Sequence, residues 1–176
     1  KNTRKSPFFD KKGLKDNMKT FKIELNNENE TISFGKNLAS ILTSNDILVL
    51  SGDLGSGKTK LTQGILSYFG LEDEISSPTF TIVNEYNSKD MNIYHFDVYR
   101  LSDSSEFSEI GGEEYFGQGL CIIEWGEMIL DVFPPDYIHI FFKRDFNNEN
   151  KRILECKIHG NKGVNKFEDF INRYSK

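Results

Sequence analysis

The chain has 176 residues, a formal net charge of −5 and 37% hydrophobic residues. This length predicts one domain, and this composition excludes an intrinsically disordered chain. An acidic chain is a poor primary binder of nucleic acid, because neutralisation of phosphates supplies most of that affinity. The charge is compatible with a local basic patch or with a basic partner protein.

The sequence contains no recognisable signal for a membrane or an oxidising compartment. No run approaches the ~20 apolar residues of a membrane span, and residues 1–17 lack the apolar core of a signal peptide. Cys121 and Cys156 match no metal or redox spacing and lie in apolar runs, which predicts buried thiols without a disulfide. The sequence therefore predicts a cytoplasmic protein that makes no membrane contact.

Two parts of the chain differ in character. Residues 1–17 are basic and show no apolar periodicity, and we interpret them as an N-terminal extension or tag. Residues 18–176 carry the periodic patterns of a single folded domain. Met18, which precedes a strand-like run over 21–25, marks the predicted start of that domain.

Strand and helix patterns alternate after residue 18. Helical spacing runs from 31 to 42 with Thr31 as the predicted N-cap, and the apolar run 47–50 is typical of a strand buried on both faces. Asp103 begins a capping box for a short helix that ends at Gly111. The other predicted elements are helices over 58–69 and 165–174, and strands over 80–83, 93–99, 120–123, 137–143 and 152–158. This order predicts an α/β fold with a mixed sheet.

The segment between the strand at 47–50 and the helix at 58–69 matches a phosphate-binding pattern. Glycines in such a loop let several backbone N–H groups point into one concavity, and the helix N-terminus adds partial positive charge. The lysine reaches the β- and γ-phosphates, and the following hydroxyl binds Mg²⁺. A glycine-rich turn with an incidental lysine is the less specific interpretation. The residues that fit G-x-x-x-x-G-K-[ST] in full are Gly52, Asp53, Leu54, Gly55, Ser56, Gly57, Lys58 and Thr59.

Hydrolysis of a bound nucleotide also requires an acid that holds the metal or orients water. Asp97 lies in the strand-like run 93–99, where alternation puts it on one face with His95. Glu124 directly follows the apolar run 120–123, at the end of a strand where open α/β sheets place ligands. We predict that both carboxylates serve the phosphate loop. The alternative is that each is a solvated strand end.

Two further features near these residues are less specific. The segment Ser76-Ser77-Pro78-Thr79-Phe80 occupies the region where many P-loop enzymes carry a switch that contacts the γ-phosphate or the metal. By composition alone it is an ordinary Ser/Pro turn. Trp125, which follows Glu124, is by residue type a core or rim aromatic.

Five motifs occur in order along the chain. They are the phosphate loop at 52–59, Ser77-Pro-Thr-Phe80, Tyr94-His-Phe-Asp-Val-Tyr-Arg100, Ser108-Glu-Ile-Gly-Gly-Glu-Glu-Tyr-Phe116 and Glu124-Trp125. Together they closely resemble the TsaE family, the small ATPases required for bacterial tRNA threonylcarbamoyladenosine modification. The phosphate loop is generic, whereas the combination of the S-P-T, Y-H-F-D and E-W motifs is specific to that family. The resemblance covers about residues 20–175.

The resemblance implies a P-loop NTPase-like three-layer fold, with a mixed central β-sheet flanked by helices, and ATP hydrolysis with Mg²⁺. Residues 18–176 are then a single P-loop ATPase domain. The resemblance also implies action on a complex of two partner proteins, TsaB and TsaD, so that tRNA is reached only indirectly through that complex.

Site residues follow from the resemblance by matched position. The implied metal ligands are Thr59, Glu124 and Asp97. The implied catalytic residues are Asp97, Glu124, Lys58 and Thr79, the last as the switch threonine. Glu28 and Thr31 align with the region that approaches the nucleotide base. The remaining implied nucleotide contacts are Lys60, Trp125 and a late basic residue, Lys151 or Arg152.

Two other function classes share this type of phosphate loop. A small-molecule or nucleoside kinase needs an acceptor pocket and often an arginine-rich lid. A GTP-dependent switch needs an Asn-Lys-x-Asp guanine reader, which Asn165-Lys166-Phe167-Glu168 only approximates inside a predicted helix. The arginines of this chain are scattered along it, at Arg4, Arg100, Arg144, Arg152 and Arg173. ATP hydrolysis is therefore the predicted function, with the kinase and the GTP switch as alternatives.

Overall fold

The computed structural model describes residues 18–76, residue 78 and residues 81–174. Within them, the strands are β1 (Met18–Leu25), β2 (Ile47–Gly52), β3 (Val83–Asn87), β4 (Asn92–Asp97), β5 (Leu120–Glu124), β6 (Tyr137–Asp145) and β7 (Asn148–His159). The α-helices are α1 (Glu28–Ala39), α2 (Lys58–Tyr68), α3 (Ser104–Glu109) and α4 (Val164–Tyr174). Short 3₁₀ turns occupy Glu72–Glu74, Gly112–Tyr115 and Gly126–Val132. The extension predicted for residues 1–17 lies outside the described residues.

The strands form one sheet in the order β1-β7-β6-β2-β5-β4-β3. The central strands β6, β2, β5 and β4 run parallel, whereas β1, β7 and β3 pair antiparallel at the two sides. In the parallel register Leu50 lies opposite Glu124, and Glu124 lies opposite Asp97. The sheet is therefore mixed, as predicted, and its register brings both predicted acids to the edge where the phosphate loop begins.

Apolar side chains on both faces of the sheet explain the layered arrangement. One face packs against α1, α2 and α4 through a cluster that includes Phe34 and Phe167. The other face packs against α3 and the turn Gly126–Val132 through a cluster that includes Phe96 and Phe107. Strand β2 is buried on both faces, as its apolar run predicts. Helices on both faces confirm the predicted three-layer α/β fold.

Two glycines let α1 and α2 pack at very short distance. A Cβ at Gly64 would lie 2.0 Å from the carbonyl oxygen of Ile32, and a Cβ at Gly35 would lie 2.3 Å from the carbonyl oxygen of Leu61. Both distances are far below van der Waals contact, so neither position accommodates a side chain without movement of the helices. The contact matters for the site because α2 begins with Lys58.

The predicted start of the first helix is wrong. Helix α1 begins at Glu28, because the Asn27 side chain accepts a hydrogen bond of 2.9 Å from the backbone N–H of Glu30 and acts as the N-cap. Thr31, the predicted N-cap, is instead buried within the helix. The prediction failed because the first turn is uniformly polar and carries no apolar periodicity.

Of the strand predicted over 80–83, Phe80 lies outside the described residues, and Thr81 and Ile82 precede the observed strand. Strand β3 begins only at Val83, because Ile82 adopts a left-handed φ of 65° that breaks extended pairing.

Asp103 is confirmed as the N-cap of α3, since its carboxylate accepts the backbone N–H groups of Ser105 and Glu106. The reciprocal half of the predicted capping box is displaced, because Glu106 Oε2 accepts the backbone N–H of Ser102, one residue before the N-cap, and α3 ends at Glu109 rather than at Gly111. The late hairpin is also confirmed, with strands β6 and β7 longer than their patterns predict.

A polar network ties β2, β6 and the turn Gly126–Val132 together. The Ser51 hydroxyl oxygen lies 2.5 Å from Glu127 Oε2 and 2.6 Å from His139 Nε2. Because the single hydroxyl proton serves the carboxylate, the imidazole donates its Nε2–H to the hydroxyl oxygen. Burial lowers the pKa of His139 to about 4, so the ring is neutral at neutral pH.

Neither cysteine of the chain is paired. Cys121 and Cys156 are buried free thiols, and burial raises the pKa of the Cys121 thiol to about 12. Such thiols are unreactive at neutral pH, because the thiolate is the nucleophile. Among the described residues, no helix has both the length and the apolar character needed to cross a membrane.

Gly64→Ala tests the close packing of α1 and α2. We expect it to lower the free energy of unfolding by about 3 kcal/mol, because overpacking against backbone outweighs the better helix propensity of alanine. Gly163→Ala is the matched control, since a Cβ there meets nothing nearer than 3.9 Å. Urea denaturation of both variants measures the difference. Equal stability of the two variants would contradict the packing argument.

Candidate phosphate-binding site

The phosphate loop joins the end of β2 to the start of α2. Three glycines shape it with positive φ angles, at Gly52 (141°), Gly55 (72°) and Gly57 (115°). A Cβ at Gly52 would also lie 2.8 Å from the carbonyl oxygen of Phe142, so this turn needs glycine for space as well as for conformation. The chain thus leaves a buried strand, turns tightly and presents the N-terminus of α2, as the motif predicts.

The ammonium group of Lys58 is enclosed by the loop. Its Nζ donates to the carbonyl oxygens of Gly52 at 2.5 Å and Asp53 at 3.0 Å, and lies 4.0 Å from the ring centroid of Trp125. Burial lowers the pKa of Lys58, and the negative charge of Glu124 opposes that shift. The lysine is therefore a desolvated cation held by carbonyl dipoles and an aromatic face.

The two predicted acids lie side by side at the ends of β4 and β5. Glu124 Oε1 accepts a hydrogen bond of 3.2 Å from the Thr59 hydroxyl, and the Glu124 side chain is almost fully buried. Asp97 accepts the backbone N–H of Tyr99 at 3.0 Å. Burial raises the pKa of Asp97, and the neighbouring Glu124 charge raises it further. The structure thus places both predicted acids beside the phosphate loop.

Trp125 owes its place to an unusual backbone conformation. Its φ of 62° is left-handed, which is rare for a bulky residue, and its backbone N–H donates to the carbonyl oxygen of Leu50 at 2.8 Å. Its ring packs against Tyr99 with a centroid distance of 4.8 Å. The indole packs at the edge of an apolar cluster and also faces Lys58, so Trp125 is a rim aromatic that lines the cavity.

These groups line one cavity of about 380 Å³. Gly52 and Asp53 are absent from its lining and act instead through their carbonyl oxygens on Lys58. Thr79, the predicted switch threonine, lies outside the described residues. The predicted residues that the cavity brings together are Glu28, Thr31, Leu54, Gly55, Ser56, Gly57, Lys58, Thr59, Lys60, Asp97, Glu124, Trp125 and Arg152.

Of the two late basic residues, the structure places Arg152 at the cavity. Arg152 lines the cavity, and its Nε donates to the carbonyl oxygen of Ser56 at 2.9 Å. Lys151 points to the other side of the strand and pairs with Glu24 at 2.7 Å. Lys60, also predicted as a nucleotide contact, pairs with Glu28 at 2.9 Å across the cavity rim.

Sequence reasoning missed several residues of the site. Arg144 donates to the carbonyl oxygen of Leu54 at 2.5 Å, so two arginines that are far from the loop in sequence meet it in space. Asn150 lines the cavity from the same hairpin. His95 lies 3.6 Å from Glu124 through Nε2. The sequence did offer one indication of His95, since it lies two residues before Asp97 on the same strand face. The hairpin residues carried no such indication.

The fold and the loop define a P-loop-type α/β protein. A family model described as "Threonylcarbamoyl adenosine biosynthesis protein TsaE" matches residues 25–153. The chain belongs to the TsaE family. The resemblance inferred from its motifs is therefore confirmed.

Individual relatives cover most of the chain. The TsaE protein of Bacillus subtilis (strain 168) is 41% identical over 135 residues, which are 76% of this chain and 84% of that protein. The TsaE protein of Haemophilus influenzae is 40% identical, over 80% of this chain and 91% of its own length. The crystal structure of YdiB from Bacillus subtilis matches with a TM-score of 0.70 and 33% identity, and covers 90% of this chain and 95% of that one.

Proposed function

We propose that this chain is the Mg²⁺-dependent, ATP-binding and ATP-hydrolysing member of the machinery for tRNA N6-threonylcarbamoyladenosine modification. The observation that carries the proposal is the meeting of the phosphate loop, the buried Lys58 and the Thr59–Glu124 hydrogen bond in one cavity. The names of its relatives, tRNA threonylcarbamoyladenosine biosynthesis protein TsaE, support the pathway. We also infer a cytoplasmic location, because the pathway named for its relatives acts on tRNA.

The loop supports binding of a polyphosphate. The N-terminus of α2 and the glycine-rich turn present N–H donors, which favour anions. Lys58 is already desolvated, and its ammonium can exchange the carbonyls of Gly52 and Asp53 for phosphate oxygens at little further cost in lost hydration. Residues outside the loop, Glu28, Thr31 and Arg152, extend the lining of the cavity, which supports binding of a nucleotide rather than of inorganic phosphate alone.

The residues beside Lys58 fit Mg²⁺. This cation prefers oxygen ligands and is usually held by one or two carboxylates together with phosphates and water. The Thr59 hydroxyl already contacts Glu124, and Asp97 is the neighbouring carboxylate on the adjacent strand. The described residues contain no group of three His, Cys, Asp or Glu side chains suited to a metal cage, which agrees with a cation bound partly by phosphate. When bound, Mg²⁺ neutralises charge that develops on the phosphates.

The two acids have different surroundings, which supports different roles. Glu124 is nearly fully buried and accepts from Thr59, so it is suited to hold the cation or its water at a fixed place. Asp97 is only partly buried and has a raised pKa, which makes it the better acceptor of a proton from an attacking water. We therefore assign metal binding to Glu124 with Thr59, and orientation of water to Asp97.

The two alternative classes find less support. The partial guanine reader lies at the start of α4, and its Lys166 pairs with Asp46 at 2.6 Å. Asp46 precedes β2, whereas the phosphate loop follows β2, so this segment lies at the wrong end of the strand for a base. For a kinase, the arginines that reach the loop, Arg144 and Arg152, donate to its carbonyl oxygens. ATP and GTP affinities, and transfer of labelled phosphate to acceptors, discriminate the three classes.

Lys58→Ala and Thr59→Ala separate phosphate binding from metal binding. We expect Lys58→Ala to weaken ATP binding about 10- to 100-fold, because charge-assisted hydrogen bonds are lost. Thr59→Ala should keep metal-free binding and lose the gain that Mg²⁺ gives. Calorimetric titration with and without Mg²⁺ measures both, and Lys36→Ala on the exposed side of α1 is the control. Wild-type affinity in Lys58→Ala would refute the assignment of the loop.

Asp97→Asn and Glu124→Gln test the acids. Both amides preserve side-chain volume, so we expect metal-free ATP binding close to that of the wild type and turnover with Mg²⁺ lower by ~10²-fold or more. Phosphate release measured at saturating ATP, with circular dichroism as the check on folding, gives the result. Normal hydrolysis by both variants would mean that these carboxylates only end their strands and take no part in the chemistry.

We also propose that the chain acts with TsaB-like and TsaD-like proteins and reaches tRNA only through them. Residues 101–142 contain nine Asp or Glu and no Lys or Arg. Their surface, on α3 and the two following 3₁₀ turns, also exposes Ile110, Met128 and Leu130. Such an acidic and apolar surface repels phosphates and suits a basic protein surface.

Turnover should therefore rise when the partners are added. We expect at least about a tenfold increase, and up to about 10³-fold if a partner supplies a cation to the transition state. The measurement is ATP hydrolysis by the chain alone, with each partner and with both. Glu124→Gln with both partners controls for hydrolysis by the partners. Turnover that the partners leave unchanged would exclude this form of regulation.

A further inference from the structure

His95 is the buried polar side chain that the fold leaves unexplained. It lies on β4 and is 1% exposed, yet neither of its ring nitrogens has a hydrogen-bond partner among the described residues. Buried polar groups are nearly always paired, and each exception calls for a structural reason. Its neighbours on either side along β4, Tyr94 and Phe96, belong to the apolar cluster on the opposite face.

The second buried histidine of the sheet shows what a structural histidine looks like here. His139 is 2% exposed and shares a 2.6 Å hydrogen bond with Ser51. This bond links two strands and gives Nε2 of His139 a hydrogen-bond partner. His95 has the same burial without such a bond, so packing alone does not account for an imidazole at this position.

The polar group nearest to His95 is the carboxylate of Glu124. Nε2 lies 3.6 Å from Glu124 Oε1, which is too long for a hydrogen bond but needs only a small movement to become one. The same oxygen accepts from the Thr59 hydroxyl at 3.2 Å. His95 therefore faces the one carboxylate oxygen that also meets the proposed metal-binding hydroxyl.

We propose that His95 is a positioning residue for Glu124. When Mg²⁺–nucleotide occupies the site, the imidazole donates its Nε2–H to Glu124 Oε1 and fixes the orientation of the carboxylate. Side chains that hold a ligating carboxylate or imidazole from behind commonly set the affinity for the metal. This inference rests on the proposed function, because it assumes that Glu124 and Thr59 hold Mg²⁺.

Two substitutions separate positioning from packing. His95→Leu removes both nitrogens and keeps an apolar side chain, whereas His95→Gln keeps an N–H donor near the place of Nε2. The experiment titrates Mg²⁺ into each full chain saturated with a non-hydrolysable ATP analogue. Thermal unfolding of the nucleotide-free chain is recorded in parallel.

For His95→Leu we expect Mg²⁺ affinity to fall about 10- to 100-fold, with metal-free nucleotide affinity unchanged. Its melting temperature should stay equal or rise, because two unpaired buried nitrogens are replaced by apolar atoms. His95→Gln should recover at least part of the Mg²⁺ affinity. His139→Leu is the matched control, and should lower the melting temperature while Mg²⁺ affinity is retained.

Wild-type Mg²⁺ affinity in His95→Leu would overturn the inference, as would a His95→Gln variant with no recovery. Thr59→Ala in the same titration distinguishes the two levels of the argument. If Thr59→Ala loses Mg²⁺ affinity and His95→Leu does not, only the positioning role fails. If neither variant loses it, the proposed metal site itself is wrong.

Discussion

The buried ammonium of Lys58 is the constraint on which the rest of the site depends. A cation that has lost most of its hydration is stable only with compensating dipoles and charges. The carbonyl groups of Gly52 and Asp53 supply the dipoles. The electron-rich face of the Trp125 ring and the negative charge of Glu124 also stabilise the cation. Positive φ angles in the loop and the left-handed backbone of Trp125 are the local conformations that this arrangement requires.

Parallel pairing of the central strands converts this local arrangement into a site. Because β2, β5 and β4 run in the same direction, the loop after β2 and the acids at the ends of β5 and β4 meet at one edge of the sheet. The antiparallel hairpin β6–β7 contributes from the other side, where Arg144 and Arg152 hold the loop by its carbonyl oxygens. Both halves of the mixed sheet are therefore needed to form the cavity.

The order of strands and helices, the loop and both acids were predictable because each carries a local signal: an apolar run, a glycine pattern or a polar residue that ends an apolar strand. The start of α1 was not predictable in this way, since the N-cap Asn27 lies in a uniformly polar stretch. The approach of Arg144 to the loop depends on pairing between distant strands, and the missing bonds of His95 are visible only in three dimensions. The sequence alone thus identifies the chemical groups but not the contacts that hold them.

Backbone strain in the described residues is concentrated beside the two acids. Ile82 and Trp125 are the non-glycine residues there with positive φ, a conformation that costs on the order of 1–3 kcal/mol each. The carbonyl oxygen of Ile82 accepts the backbone N–H of Asp97 at 2.8 Å, and Trp125 directly follows Glu124. The unpaired His95 adds a third unfavourable feature next to Glu124. Elsewhere in the described part of the chain the buried side-chain N and O atoms have hydrogen-bond partners, so the unfavourable features lie where the proposed chemistry takes place.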